Sequence, residues 1–364
     1  MLGAVSERPA LDRCPSLARP FSADDGALVR LRVPGGRVSV ATLVELLVIA
    51  TDHGAPLLQL TSRGNLQMRA LPDPLPRSLV GRLEASGLFP SASHEQARNV
   101  IASPSDADIA RLVGELDAAF VSDPELAGLP GRFLFAVSIP GGAVLGEPWD
   151  LAYEVIDARR GRVLAGPFGV GVSREDAVAE ILRRAHLFLR HRASERVWNV
   201  RDLPSGASPV VSGMTPYVPS PAERPLPGVE GDDLVAGVPL GMLRAAQVDA
   251  LSSVTAQVTL TPWRSLVVDG GAVHEPRLAA GGFVTSPRSP WSRLSACVGA
   301  PSCRRTQSPT LDLTAAAAGS LPEAGPRIHV VGCERRCGHP SGPHVTVLNP
   351  VSVIDVLAAA GETP

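Results

Sequence analysis

Four of the five cysteines fall into two pairs, Cys297-x5-Cys303 and Cys333-x3-Cys337, with twenty-nine residues between the pairs. Thiolates are soft ligands, so such a set can bind zinc, hold an iron–sulfur cluster or remain as structural thiols. Zinc sites favour two to four residues between paired cysteines, and the x5 spacing argues against them. A 4Fe-4S cluster asks for four thiolates converging from loops that wrap a body several ångströms across, and Gly299, Pro301, Gly332 and Gly338 put the necessary bends beside the ligands. The spacing therefore favours Cys297, Cys303, Cys333 and Cys337 as cluster ligands over the zinc and structural-thiol readings. Cys14 has no partner in this pattern and reads as an ordinary thiol near the amino terminus.

Other reactive groups cluster around the same cysteines. Arg304-Arg305 and Arg335-Arg336 adjoin them, where cations could raise a cluster's potential or dock an acidic electron donor. His339 and His344 follow Cys337 and are candidates for a separate non-haem iron or for proton donation, although no second carboxylate–histidine spacing completes a facial triad. The chain contains no lysine, which removes Schiff-base, pyridoxal-phosphate and P-loop chemistry. Gly169-Val170-Gly171-Val172-Ser173-Arg174 lacks the last glycine of a dinucleotide fingerprint and reads as a loop leading to a helix cap. With no nicotinamide or flavin site in view, reducing power is expected from a separate ferredoxin or NAD(P)H-dependent reductase.

The elements that must position these groups show an internal duplication. Val33-Pro34-Gly35-Gly36 opens a segment that runs through an apolar period over 43–50 to Leu60-Thr61 and Leu66, and Val238-Pro239-Leu240-Gly241 opens another that runs to Leu260-Thr261 and Leu266. Asn99-Val100-Ile101-Ala102-Ser103-Pro104 has its counterpart in Ala296-Cys297-Val298-Gly299-Ala300-Pro301 on the same reading. Each half presents a Pro/Gly turn, a helical period and then alternation at Leu58 and Leu60 or Val258 and Leu260, which predicts α+β units with antiparallel sheets. Residues 203–231, rich in Pro, Gly and Ser, read as a connection between the halves. The clearest helix follows Ser173, where Asp176 three residues on suggests a cap and Ala177, Val178, Ile181, Leu182, Ala185 and Phe188 share a face. Residues 315–318, all alanine, read as linker or helix between the cysteine pairs.

Length and charge bound the function. At 364 residues the chain has room for two or three domains with sizeable cores. A net charge of -2 gives no basic field for nucleic acid or anionic membranes, and 4% aromatic residues leave few platforms for stacking bases. The first fourteen residues lack a secretory apolar run, and apolar stretches such as 46–50 fall well short of the ~20 residues a membrane helix needs. A cytoplasmic protein with reduced thiols is expected, with neither nucleic acid nor membrane as partner.

The motifs ACVGAPSC and HVVGCERRCGHP resemble the cluster motif of the sulfite and nitrite reductase superfamily. LTSRGNLQMR resembles its ferredoxin-like half-domain motif, and ARNVIASP its Arg-Asn-Val segment. The likeness covers about residues 12–104 and 233–350. It implies a duplicated α+β architecture of two ferredoxin-like half-domains and two cluster-type α/β lobes related by a pseudo-twofold. The expected limits are 12–85 for the first half-domain, 90–200 for a first lobe without cysteines, 203–231 for the linker, 233–285 for the second half-domain and 290–360 for the cluster-binding lobe. It also implies a 4Fe-4S cluster on the four cysteines and, in siroheme members, a siroheme whose iron Cys337 would bridge. Both siroheme and precorrins carry eight carboxylate arms, for which arginine is the natural bidentate partner. Arg63, Arg98 and Arg132 stand at the family's basic positions, and alternation would place Asn65 and Gln67 beside Arg63 on one side of a strand as further polar contacts.

Within the superfamily, the segment CPSLARPFSADDGALVRLRVPGGRVS and the short length most resemble the precorrin-3B synthases of aerobic cobalamin synthesis. That resemblance implies an oxygen-dependent monooxygenase that hydroxylates precorrin-3A and closes a lactone from a neighbouring acetate. The reductases carry an LPRKFK-like segment with two cations two residues apart, where this chain reads Leu129-Pro130-Gly131-Arg132-Phe133-Leu134. Reducing a small anion needs its charge neutralised, so the missing cation weakens the alternative of a siroheme-dependent sulfite or nitrite reductase.

Overall fold

The computed structural model describes residues 14–203, 207–340 and 342–361. The amino-terminal segment read for a leader, residues 12 and 13 of the expected first half-domain and residues 204–206 of the expected linker lie outside the described residues.

Apolar residues at helical spacing build α1 (Val40–His53), which buries Leu43, Leu46, Leu47, Ile49 and Ala50. Ser39 caps it, its hydroxyl accepting from the Thr42 N–H at 3.0 Å. The helix and α2 (Arg77–Ala85) cover a sheet in the order β1 (Phe21–Ala23), β2 (Gly26–Leu31), β5 (Leu66–Leu71), β4 (Leu58–Leu60), β14 (Met242–Leu243). Its counterpart runs β12 (Gly228–Glu230), β13 (Asp233–Gly237), β16 (Ser265–Val268), β15 (Gln257–Leu260), β3 (Arg37–Ser39), with α6 (Ala245–Ser252) and α7 (Glu275–Ala280). The last strand of each sheet comes from the other half of the chain. Val38 pairs with Val258, and Met242 pairs with Gln59, both antiparallel. This reciprocal exchange merges both apolar faces into one core containing Leu31, Leu46, Leu66, Leu234, Leu251 and Leu266.

The duplication extends to the turns. Thr61 N–H donates to Asn65 O and Thr261 N–H to Ser265 O, both at 2.9 Å. Gly64 and Arg264 hold the same place in the two turns, each at φ 61°.

The other two sheets form the lobes. The first runs β6 (Val100–Ala102), β7 (Phe135–Ser138), β8 (Leu151–Asp157), β9 (Arg160–Ala165), β10 (Phe168–Ser173), β11 (Thr215–Pro216), with β6, β7 and β8 parallel and α3 (Ala107–Ser122) and α4 (Ala177–His191) packed against it. The second is wholly parallel, β17 (Leu294–Ala296), β18 (Ile328–Val331), β19 (Val345–Leu348), with α8 (Thr310–Ala318) and α9 (Val353–Ala358). No helix among the described residues is long and apolar enough to cross a membrane.

Three expectations need correction. The glycine-rich run is strand rather than loop over 169–173, since β10 pairs with β9 along its whole length, and a Cβ on Gly169 would crowd the Arg162 stem. The stretch 203–231 does more than connect, because it supplies the single turn α5 (Ser208–Val211), β11 on the first lobe's sheet and β12 on the second half's sheet. The lobes also match in a different register from the motif likeness. Ala102 pairs with Val137 and Ala296 with Val330, and the next N–H in each chain, Ser103 or Cys297, donates to Val137 O at 3.0 Å or Val330 O at 2.9 Å. Ser103 therefore stands where Cys297 stands, because the short motif was matched across loops of unequal length.

Candidate functional site

Cys297 leaves the carboxyl end of β17 and Cys333 that of β18, so two neighbouring parallel strands deliver the first cysteine of each pair to one edge of the sheet. Cys303 and Cys337 follow in the loops. The Gly332 N–H donates to Cys297 Sγ at 3.3 Å, and Thr310 Oγ1 lies 3.6 Å from the same sulfur. Burial pushes the Cys337 thiol up, Arg335 opposes this, and Cys297, Cys333 and Cys303 push it further up. The four thiols thus lie within electrostatic reach of one another. A Cβ on Gly299 would overlap Thr310 Oγ1 and one on Gly332 would overlap Thr306, so both glycines are required for the loops to pack this closely. The Arg304 N–H donates to Asp24 Oδ2 at 2.8 Å, tying the loop of Cys303 to the β1–β2 turn of the first half.

This donor set fits a 4Fe-4S cluster: four thiols on bending loops and an N–H directed at sulfur. Among the described residues no three His, Cys, Asp or Glu side chains stand close enough to hold a metal ion. A cubane spreads its thiolates more widely than one ion does. The non-haem iron expected of His339 and His344 finds no ligand set. The rings of His339 and His344 stack at 6.2 Å, and His344 meets His329 edge-on at 6.0 Å.

The expected arginines have divergent roles. Arg98 is turned inward, its Nε and Nη2 gripping both oxygens of Asp117 on α3 at 2.8 and 2.7 Å while Nη1 bonds Leu88 O. It locks helix to loop rather than facing a ligand. Asn65 is also consumed internally, accepting from Val33 N–H at 2.9 Å and donating to Asn99 Oδ1 at 3.2 Å. Gln67 bridges Arg30 and Gln59. Arg63, Asn65 and Gln67 do not share a strand face, because β5 begins only at Leu66 and Arg63 and Asn65 belong to the tight turn that Gly64 permits.

Arg63 and Arg132 do come together, in company that sequence reasoning missed. Arg63 Nη1 donates to Gly131 O at 3.3 Å, beside the exposed Arg132, whose guanidinium lies 5.0 Å over the Trp198 ring. Burial holds the Arg63 guanidinium below its usual range, with Cys14 and Asp150 opposing and Arg132 and Arg30 adding to the effect. Arg32, 1% exposed, is pushed down to about 9 by burial and then by Arg30, and its Nη1 has no hydrogen-bond partner. Arg30 in β2 and Arg32 just past its end alternate with buried Val29 and Leu31, and two cations at that spacing are the sequence signal. Asp150, buried under the same loop, accepts from Leu134 N–H, Asn199 Nδ2 and Val200 N–H, and burial still raises it to about 6. Arg30 and Arg63 act on Arg32 as like charges and Arg132 and Arg30 act so on Arg63, and an anionic ligand would relieve that repulsion.

Residues 22–74 match the nitrite/sulfite reductase ferredoxin-like half domain. The segment spans β1 to β5 with α1, hence the TSRG turn and the whole face of Arg30, Arg32 and Arg63. Over 58 residues, 16% of this chain, the sequence is 40% identical to a precorrin-3B synthase from Sinorhizobium sp, and the aligned stretch is 13% of that relative's length. Across 84% of this chain and 68% of its own, the Mycobacterium tuberculosis NirA protein has the same fold, with a TM-score of 0.61 and 16% identity. The duplicated sulfite/nitrite-reductase-like architecture therefore extends well beyond the half domain.

Proposed function

We propose that the protein is an oxidoreductase of the precorrin-3B synthase type, an oxygen-dependent monooxygenase that hydroxylates precorrin-3A and closes a lactone from a substrate acetate. The observation that carries this reading over a sulfite or nitrite reductase is Leu134. It stands where the resemblance calls for the second cation, and it is 1% exposed, packed with Ile101, Ala136 and Leu164. The site keeps guanidiniums able to clamp carboxylate arms but lacks the paired charge that would neutralise a small oxyanion. The 40% identity to a precorrin-3B synthase is consistent with it.

Cys297, Cys303, Cys333 and Cys337 would hold the 4Fe-4S cluster, which when bound supplies one-electron transfer. Arg32, Arg63 and Arg132 bind and orient the tetrapyrrole through its carboxylates, and the swapped strands fix the two half-domains as rigid walls. One oxygen atom enters the substrate and the other leaves as water, so two electrons and two protons must be supplied. A ferredoxin or an NAD(P)H-dependent reductase in the cytoplasm is the donor, and the arginines at 304, 305, 335 and 336 offer it a cationic face beside the cysteines.

Anaerobic purification with iron and sulfide analysis and a visible spectrum, followed by precorrin-3A, reductant and air, tests the reading. The expected result is a cluster spectrum without siroheme bands and a product heavier by one oxygen atom. Siroheme bands with sulfite or nitrite turnover and unchanged precorrin would overturn it.

A further inference from the structure

The second half-domain has a turn equivalent to the one carrying Arg63, and its residues are unlike those of the first. Trp263 replaces Arg63 and Arg264 replaces Gly64, both turns keeping φ 61° at the fourth residue. Glycine takes that conformation freely, whereas an arginine there costs about 1–2 kcal/mol. Strain of this kind persists where a side chain has to be held in a particular place.

The Arg264 side chain is held against the cysteine loop. A Cβ on Gly338 would lie 3.7 Å from Arg264 Nη2, and one on Gly342 would lie 4.0 Å from Arg327 Nη1. Burial lowers the Arg264 guanidinium, and among the described residues its side chain makes no hydrogen bond or ion pair. Arg224 and Arg264 both act on Arg327 as like charges, and Arg264, His344 and His339 act on the buried ring of His329. Glu147 receives the Trp263 indole N–H at 2.8 Å and feels Arg224. Basic side chains therefore converge beside Gly338 and Gly342, and among the described residues Arg264 has no counter-ion, an arrangement that suits a carboxylate.

We propose that Arg264, supported by Arg327 and Arg224, is a second carboxylate clamp that takes a side arm of the tetrapyrrole from the half-domain opposite Arg63. This rests on the tetrapyrrole reading above. The two related turns then grip one polycarboxylate from two sides, with Trp263 held by Glu147 as the apolar wall between clamp and lobe.

Uroporphyrin III, with eight carboxylates, is the probe, titrated into the cluster-loaded full chain by fluorescence. Arg264→Gly restores the residue the turn geometry prefers, so it should melt no lower than the parent, and it should weaken uroporphyrin binding about tenfold or more. Arg264→Lys should recover only part of the affinity, because the bidentate fork is lost. Arg63→Ala serves as the comparison. If Arg63→Ala weakens binding and Arg264→Gly does not, the clamp is overturned while the tetrapyrrole reading stands. If the parent does not bind uroporphyrin, that reading fails and the clamp with it. Loss of the cluster's visible absorbance in Arg264→Gly, with porphyrin affinity intact, would assign the guanidinium to the cluster and overturn the clamp.

Discussion

Gly36 and Gly241 occupy equivalent places in the two halves, yet replacing each with alanine should have unequal effects. Both sit at positive φ, 77° and 73°, so each variant incurs about 1–2 kcal/mol of backbone strain. The surroundings differ. A Cβ on Gly36 would overlap the Leu260 carbonyl oxygen, with Leu260 C at 3.0 Å and N at 3.2 Å, all of them backbone of β15. On Gly241 the Leu60 oxygen lies 3.4 Å away and the nearest atom, at 3.0 Å, is Cδ of the flexible Arg264 side chain. Residue 36 directly precedes β3, which pairs with β15, so relieving the clash requires breaking the strand exchange that joins the halves. Overpacking against backbone adds about 1–3 kcal/mol, which places Gly36→Ala near ~4 kcal/mol and Gly241→Ala near ~1–2 kcal/mol. Gly87→Ala, at φ 77° with open space around its Cβ, isolates the strain alone. Urea unfolding followed by circular dichroism measures all three. Equal losses for Gly36→Ala and Gly87→Ala would refute the close approach on which the exchange depends.

Two further outcomes follow from the site. Serine at any one of Cys297, Cys303, Cys333 or Cys337 should abolish most bound iron and sulfide per chain, while Cys14→Ser should keep both, and retention of a full complement in the Cys337 variant would contradict the ligand set. Asp150 rises from 3.8 to about 6 on folding, so the folded state holds its proton more tightly. Its contribution to stability is greatest below about pH 4 and declines as pH rises through 6, a change of about 3 kcal/mol that Asp150→Asn should remove from the pH profile of urea midpoints.

The parts of this molecule legible in sequence are those set by local rules. The apolar face over 43–50 and the shared face of Ala177, Ile181, Ala185 and Phe188 each express a spacing that one element imposes on its own residues. Ser173 Oγ does bond Asp176 Oδ2 at 2.7 Å, although α4 starts only at Ala177 because Ser173 is still the end of β10. Long-range geometry was less accessible. Nothing in Arg98 reveals that Asp117, nineteen residues on, turns both carboxylate oxygens toward it. Alternation misplaced Asn65 because period-two reasoning fails across a turn. Arg264 could have been found by laying TPWRS on TSRGN and asking why an arginine sits in a glycine's place.

The two lobes show why a duplicated frame can gather cysteines on one side only. Ser103 and Cys297 leave equivalent strands with equivalent backbone bonds, so the strand geometry alone does not make a ligand. What differs is the path to the next helix. In the first lobe residues 103–106 are the whole connection, and Asp106 at once caps α3 through the N–H groups of Asp108 and Ile109 at 2.9 Å. In the second lobe the path from 297 to 309 is a loop long enough to carry Cys303 out and back before α8 begins. A cysteine at position 103 would thus be a single thiol with no loop to bring its partner, beside the hydroxyl of Ser138 at 3.3 Å. The loop, more than the cysteine, separates the cysteine-rich lobe from its twin. The Arg304 N–H bonded to Asp24 Oδ2 at 2.8 Å then ties this longer loop to the β1–β2 turn of the first half.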